Sequence, residues 1–161
     1  MLSKTLFNTL LTEYTTTTKS ININTLDNYI KSLELKNEFH DHNVNKIKGT
    51  IFEHIAKNYY VYNGYEVYLF NEIPIELRRT WNLGFKDMGI DLIYKDENGI
   101  WVAVQIKWRM INNETIDKNE ILGFIEEVRR RKFEIKVMFT NVQNLNSYID
   151  VEYKFDRILR K

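Results

Sequence analysis

The segment from Gly89 to Arg109, G-I-D-L-I-Y-K-D-E-N-G-I-W-V-A-V-Q-I-K-W-R, restricts the fold of this chain more than any other stretch. It reads as two β-strands joined by a tight turn. Val102, Val104, Ile106 and Trp108 share one face of the second strand, and Trp101, Ala103, Gln105 and Lys107 share the other. The first face is apolar throughout, whereas the second begins apolar and ends in an amide and an ammonium. Glu97-Asn98-Gly99 suits a three-residue loop, a type I turn with Gly in the left-handed position. That loop pairs Asp96 with Ile100 and so Asp91 with Gln105, on the face that also carries Lys107. A two-residue Asn98-Gly99 loop would turn Asp91 to the other face, because a one-residue slip reverses every side chain. The residues permit both turns. The longer one is expected, because it leaves Asp91 near a cation instead of alone among Ile90, Leu92 and Ile93.

Two readings of Asp91, Gln105 and Lys107 follow. One is a cross-strand ion pair with a neighbouring amide, contributing roughly 0.2–1 kcal/mol. The other is a metal centre. A carboxylate and an amide carbonyl are hard oxygen donors suited to Mg²⁺, which takes one or two protein oxygens plus waters and substrate phosphate. An adjacent Lys would then orient a water or offset charge developing on phosphate.

At 161 residues the chain is expected to form one domain, with room for a small helical appendage. A hydrophobic content of 43% with 14% aromatics excludes a disordered chain. Cysteine is absent, which excludes disulfides and thiolate zinc sites and is compatible with an intracellular setting. The formal net charge of +1 supplies no global field toward nucleic acid or membrane, so a polyanion must be held by a local patch. No apolar run approaches the roughly 20 residues of a membrane span, and no membrane partner is expected.

In chain order, Leu2, Leu6, Phe7, Leu10, Leu11 and Tyr14 recur at helical spacing, and a second helix is expected from Asn24 or Thr25 through Leu33. Residues 1–42 are therefore read as a helical extension that packs on the core, dimerises or touches substrate. His40-Asp41-His42 lacks a third ligand and reads as loop or helix start. Asn43 to Asn63 is helical, with Ile47, Ile51, Ile55 and Tyr59 on one stripe. Gly49, Glu53 and Ala56 lie on another line, where small residues flanking Glu53 would let a neighbour approach and leave the carboxylate in a shared cleft. Thr50-x-x-Glu53 also matches a capping box, which leaves two roles open for Glu53. Tyr65 to Phe70 is β-prone. Pro74 introduces a long connection holding Arg78, Arg79 and Trp81, a combination suited to phosphate and base. Asp117 to Lys132 reads as a helix with Ile121, Phe124, Ile125 and Val128 inward, ending in Arg129-Arg130-Arg131-Lys132. Those cations complement the helix dipole and stand available for phosphates. Ile135 to Thr140 is a further strand, reached by a helical crossover and so parallel to the strand before it. Val151 to Lys161 has no clear period, and its uncapped end is compatible with one module of a longer protein.

The order helix with Glu, strand, strand with Asp, strand with Gln-x-Lys, helix, strand resembles the PD-(D/E)XK nuclease superfamily. It is most similar to its Mrr-type restriction endonuclease branch, in which Gln replaces the second acid. The residues that carry the likeness are G-T-I-F-E ending in Glu53, G-I-D-L-I with Asp91, and V-Q-I-K-W with Gln105 and Lys107, spanning roughly Lys46 to Asn141. Gly89-Ile90 stands where the superfamily has its Pro. The resemblance implies an α/β fold with an α-β-β-β-α-β core and a mixed sheet over residues 43–161. It also implies hydrolysis of DNA phosphodiesters with Mg²⁺, or Mn²⁺ in its place. Asp91, Gln105 and Glu53 would serve the metal, and Lys107 the attacking water and the charge on phosphorus. Arg78, Arg79, Trp108, Arg109, Arg129, Arg130, Arg131 and Lys132 are the expected nucleic-acid contacts. DNA is the expected partner, with a homodimer and a tether to a helicase or recognition domain left open. Two alternatives stand beside it: a nuclease fold that binds DNA or RNA without turnover, and a structural domain in which Asp91 and Lys107 merely pair.

Overall fold

The computed structural model describes residues 44–107, 109, 115–140, 142 and 154–157. The expected helices of the N-terminal extension, His40 to His42, and Trp108 lie outside these residues. The first described element is α1, Val44–Tyr62. It buries Ile51, Phe52, Ile55, Ala56 and Tyr60 against one face of the sheet, where they meet Leu92, Tyr94, Val102, Val104, Val137 and Phe139. Each of the Ile and Phe side chains, fully buried, contributes about 1.5–3 kcal/mol. Because α1 begins well before Thr50, Thr50-x-x-Glu53 lies inside the helix and is not a capping box. Gly49 is no close-approach residue either, since a Cβ there meets nothing within 4 Å.

Strand β1, Glu66–Leu69, is followed by a 3-10 turn, Phe70–Glu72, and a short helix α2, Ile75–Thr80. The long connection expected after Pro74 is thus partly helical. Pro74 stands at the helix start, where a missing N–H costs nothing. Strands β2, Leu92–Lys95, and β3, Trp101–Lys107, form the expected hairpin. Leu92 pairs with Val104 and Lys95 with Trp101, the register of the three-residue loop. Asp96 N–H donates to Ile100 O at 2.9 Å, and Gly99 holds φ +79°.

Helix α3, Lys118–Arg131, crosses over to β4, Ile135–Thr140, which pairs parallel to β3 as expected. Asp117 caps α3: its carboxylate accepts from Asn119 N–H at 2.8 Å while Glu120 accepts from Asp117 N–H at 2.9 Å. Ile121, Phe124, Ile125 and Val128 pack with Ile93, Ala103 and Met138 on the second face of the sheet. A strand β5, Lys154–Arg157, adds parallel to β4, giving the order β1-β2-β3-β4-β5. Its four residues are too few to show an alternating pattern. No described helix is long and apolar enough to cross a membrane.

Candidate active site

The sheet opens where β2 begins. Asp96 N–H donates to Ile100 O, while Ile100 N–H donates to the Asp96 carboxylate at 2.8 Å. With 96–100 as the bonded position, alternation makes 94–102, 92–104 and 90–106 the next bonded pairs. The ladder stops at Leu92, however. Asp91 N–H goes to Val104 O at 3.0 Å, and its carboxylate takes the Ile106 N–H at 2.6 Å, a donor that a continued ladder would give to the residue 90 carbonyl. Asp91 is therefore held in the fork between β2 and β3, not in the regular cross-strand position opposite Gln105. From there it faces groups delivered from both sides of the sheet.

Alternation along β3 places Gln105 and Lys107 on the α3 side with Ala103, while Glu53 comes from α1 on the other side. Burial is the main cause that pushes the Asp91 carboxyl up to about 7; the Ile106 N–H opposes it, Glu53 and Asp87 add to it, and Lys107 pulls it down. Glu53 is raised by burial and by Asp87. Burial lowers the Lys107 ammonium, Asp91 partly restores it, and Arg109 lowers it further. Asp91 and Lys107 thus feel each other's charge, but they do not form a contact ion pair. Asp87 is an acid that no motif pointed to. Its position on the loop four residues before Asp91 was the only available signal.

Among the described residues, no three His, Cys, Asp or Glu side chains converge as a metal site. A cation here must take a donor of another kind. Gln105 is 7% exposed, and its Oε1 is buried without a hydrogen-bond partner. An orphaned carbonyl oxygen costs about 1–3 kcal/mol unless something satisfies it. A cation ligated by Asp91 and Gln105 would do so, and the two hard oxygens suit Mg²⁺ or Mn²⁺. The residues fit the group.

The expected basic contacts divide. Arg78 is 4% exposed, and its guanidinium is committed to the carbonyls of Ile73 (3.0 Å), Gly84 (2.7 Å) and Phe70. It is an internal brace, and its expected place on phosphate is corrected. Arg131 donates to Glu127 at 2.7 Å and to the Asn82 carbonyl, tying α3 to the end of α2. Arg109 pairs with Glu120. Arg79, Arg129, Arg130 and Lys132 are exposed. Residue count cannot separate these groups, because a guanidinium's five donors satisfy buried carbonyls as well as they bind phosphate.

Gly89 sets where Asp91 stands. Its φ is +111°, and a Cβ there would lie 2.8 Å from Phe124 N and 3.0 Å from Phe124 Cα. Neither backbone atom of α3 can shift cheaply. Gly89→Ala is expected to destabilise the protein by about 2–4 kcal/mol. Denaturant melts check the loss, and an unchanged midpoint would show that the loop and α3 are not in contact.

Residues 56–155 match the Mrr_cat_2 restriction endonuclease family, and the chain belongs to that family. The matched segment includes Asp91, Gln105 and Lys107, and Glu53 precedes it. Among solved structures the chain is similar to the ATP-dependent Type ISP restriction-modification enzyme LlaBIII bound to DNA. The identity is 23% and the TM-score 0.51, over 72% of this chain and 8% of that one. At that identity the likeness establishes the fold, and this chain spans less than a tenth of that enzyme's length. No curated protein matches the chain.

Proposed function

We propose that this restriction-type nuclease hydrolyses DNA phosphodiesters with a divalent cation held by Asp91 and Gln105. The observation that carries the reading is the orphaned Gln105 Oε1, next in the chain to the Ile106 whose N–H holds the buried Asp91 carboxylate. Uncatalysed phosphodiester hydrolysis is very slow, so the site must lower its barrier by many kcal/mol. The bound cation supplies Lewis acidity toward a phosphoryl oxygen and a more acidic water. Asp91 contributes a carboxylate whose orientation is fixed by the Ile106 N–H. Lys107 donates toward charge accumulating on the phosphate oxygens. Glu53, its affinity for protons raised by burial and by Asp87, would accept a hydrogen bond or a proton from the attacking water.

Plasmid DNA incubated with the protein and Mg²⁺ or Mn²⁺ is expected to be cleaved, and chelation by EDTA is expected to stop cleavage. Cleavage that persists at full rate in EDTA would remove the cation from the reading. Tight, salt-sensitive DNA binding with no cleavage under either ion would instead identify a binding module. Gln105 in place of an acid is the feature that favours that second reading.

A further inference from the structure

Phe85 is 80% exposed, on the loop that leads into Asp91. A fully solvated ring is seldom held in place, but this one is. The Arg78 guanidinium carbon lies 5.1 Å from its centroid and 4.8 Å from that of Phe70. Arg78 itself cannot move, since its donors are spent on the three carbonyls named above. One face of Phe85 is therefore seated on a fixed plane. Beside it lies a cleft of about 220 Å³, lined also by Ile75, Arg79, Asn82 and Leu83.

The cleft is physically joined to the catalytic fork. Phe70 O accepts from Arg78, and Phe70 N–H donates to Asp91 O at 2.9 Å. One residue, Phe70, and one guanidinium separate the ring from the aspartate's backbone. Exposed Arg79 in the cleft and exposed Lys86 next to Phe85 add positive charge. An aromatic ring flanked by cations matches a base and its phosphate: the base stacks on the ring and the backbone meets the cations. The cleft is smaller than the roughly 300–1,000 Å³ of drug-sized pockets and suits one planar heterocycle.

We propose that Phe85, supported by Arg78, is a stacking platform for a nucleobase of the strand being cut, with Arg79 on its phosphate. The base must leave the duplex stack or come from a strand end. This inference rests on the nuclease reading and adds to it the contact that positions the strand.

The test measures binding separately from turnover. Single-stranded and duplex oligonucleotides carrying 2-aminopurine are titrated with the full chain in EDTA, and cleavage is assayed in parallel with Mg²⁺. Stacking is worth about tenfold or more in affinity for each base. Phe85→Ala is expected to weaken single-strand binding about tenfold and to alter the 2-aminopurine signal seen with wild type. Phe85→Trp is expected to retain both, and Arg79→Gln to lower the salt slope by about one charge. Melting temperatures of all three are expected to match wild type, because these side chains are solvent-facing. Affinity and signal unchanged in Phe85→Ala, with wild-type cleavage intact, would overturn the platform alone. Wild-type protein that binds no oligonucleotide and cleaves none would overturn the platform and the nuclease reading together.

Discussion

Asp91→Asn is expected to abolish DNA cleavage while making the metal-free protein more stable at neutral and alkaline pH. The second half of that result follows from the sign of the proton linkage. In the folded chain the Asp91 carboxyl is pushed up to about 7, above its ordinary 3.8. Between those values the native state holds a proton that the unfolded state has released. Stability contributed by this group is therefore present below about pH 4 and is lost as pH rises through 7. The full loss amounts to at most about 4 kcal/mol, at 1.36 kcal/mol per unit. Asn carries no charge to bury and keeps an oxygen that can accept the Ile106 N–H. Thermal melts in EDTA should show the variant above wild type at pH 8, with the gap narrowing through pH 5 and nearly closed at pH 4. Adding Mg²⁺ should narrow the gap at pH 8, since a ligand that binds only the folded wild type raises its melting point. Asn melting at or below wild type at pH 8 would show that Asp91 is a structural partner and not a strained functional acid. Asp91→Ala is the poorer variant, because it leaves the Ile106 N–H without an acceptor.

The hairpin register was legible because three local signals agreed: Gly99 at the loop end, Asn98 before it, and apolar alternation on both flanks. The core faces of α1 and α3 were legible for the same reason, as a periodicity repeated over several turns. Other features had no such redundancy. Asp91 leaves the ladder because its carboxylate outcompetes a backbone carbonyl for Ile106 N–H, a choice made in three dimensions. Arg78 and Arg131 look like phosphate ligands by type, yet the carbonyls they satisfy come from loops whose shape the sequence does not state. Gly89 needs its missing Cβ because α3 passes there, and α3 is more than thirty residues away along the chain. Strand β5 depends on pairing with β4 and has no pattern of its own.

Lys107→Met is expected to cost at least about 10²–10³-fold in single-turnover cleavage rate with little change in fold stability. Removing one fixed donor that faces developing charge typically has that effect on rate. The Met side chain fills much of the space of the Lys stem, and burial already disfavours the ammonium. A structural role for Lys107 would be revealed by a lowered melting point together with lost activity. A chemical role requires the rate to fall while the melting point holds. The charge change supplies a further readout. Lys107 pulls the Asp91 carboxyl down, so its removal should move the Asp91 titration in the metal-free protein to higher pH. The same removal takes a cation away from the metal's neighbourhood, so calorimetry should find Mn²⁺ affinity at pH 8 unchanged or tighter. A variant that loses both ion binding and cleavage would place Lys107 in the architecture of the fork; one that binds the ion yet cannot cut would place it at the phosphate.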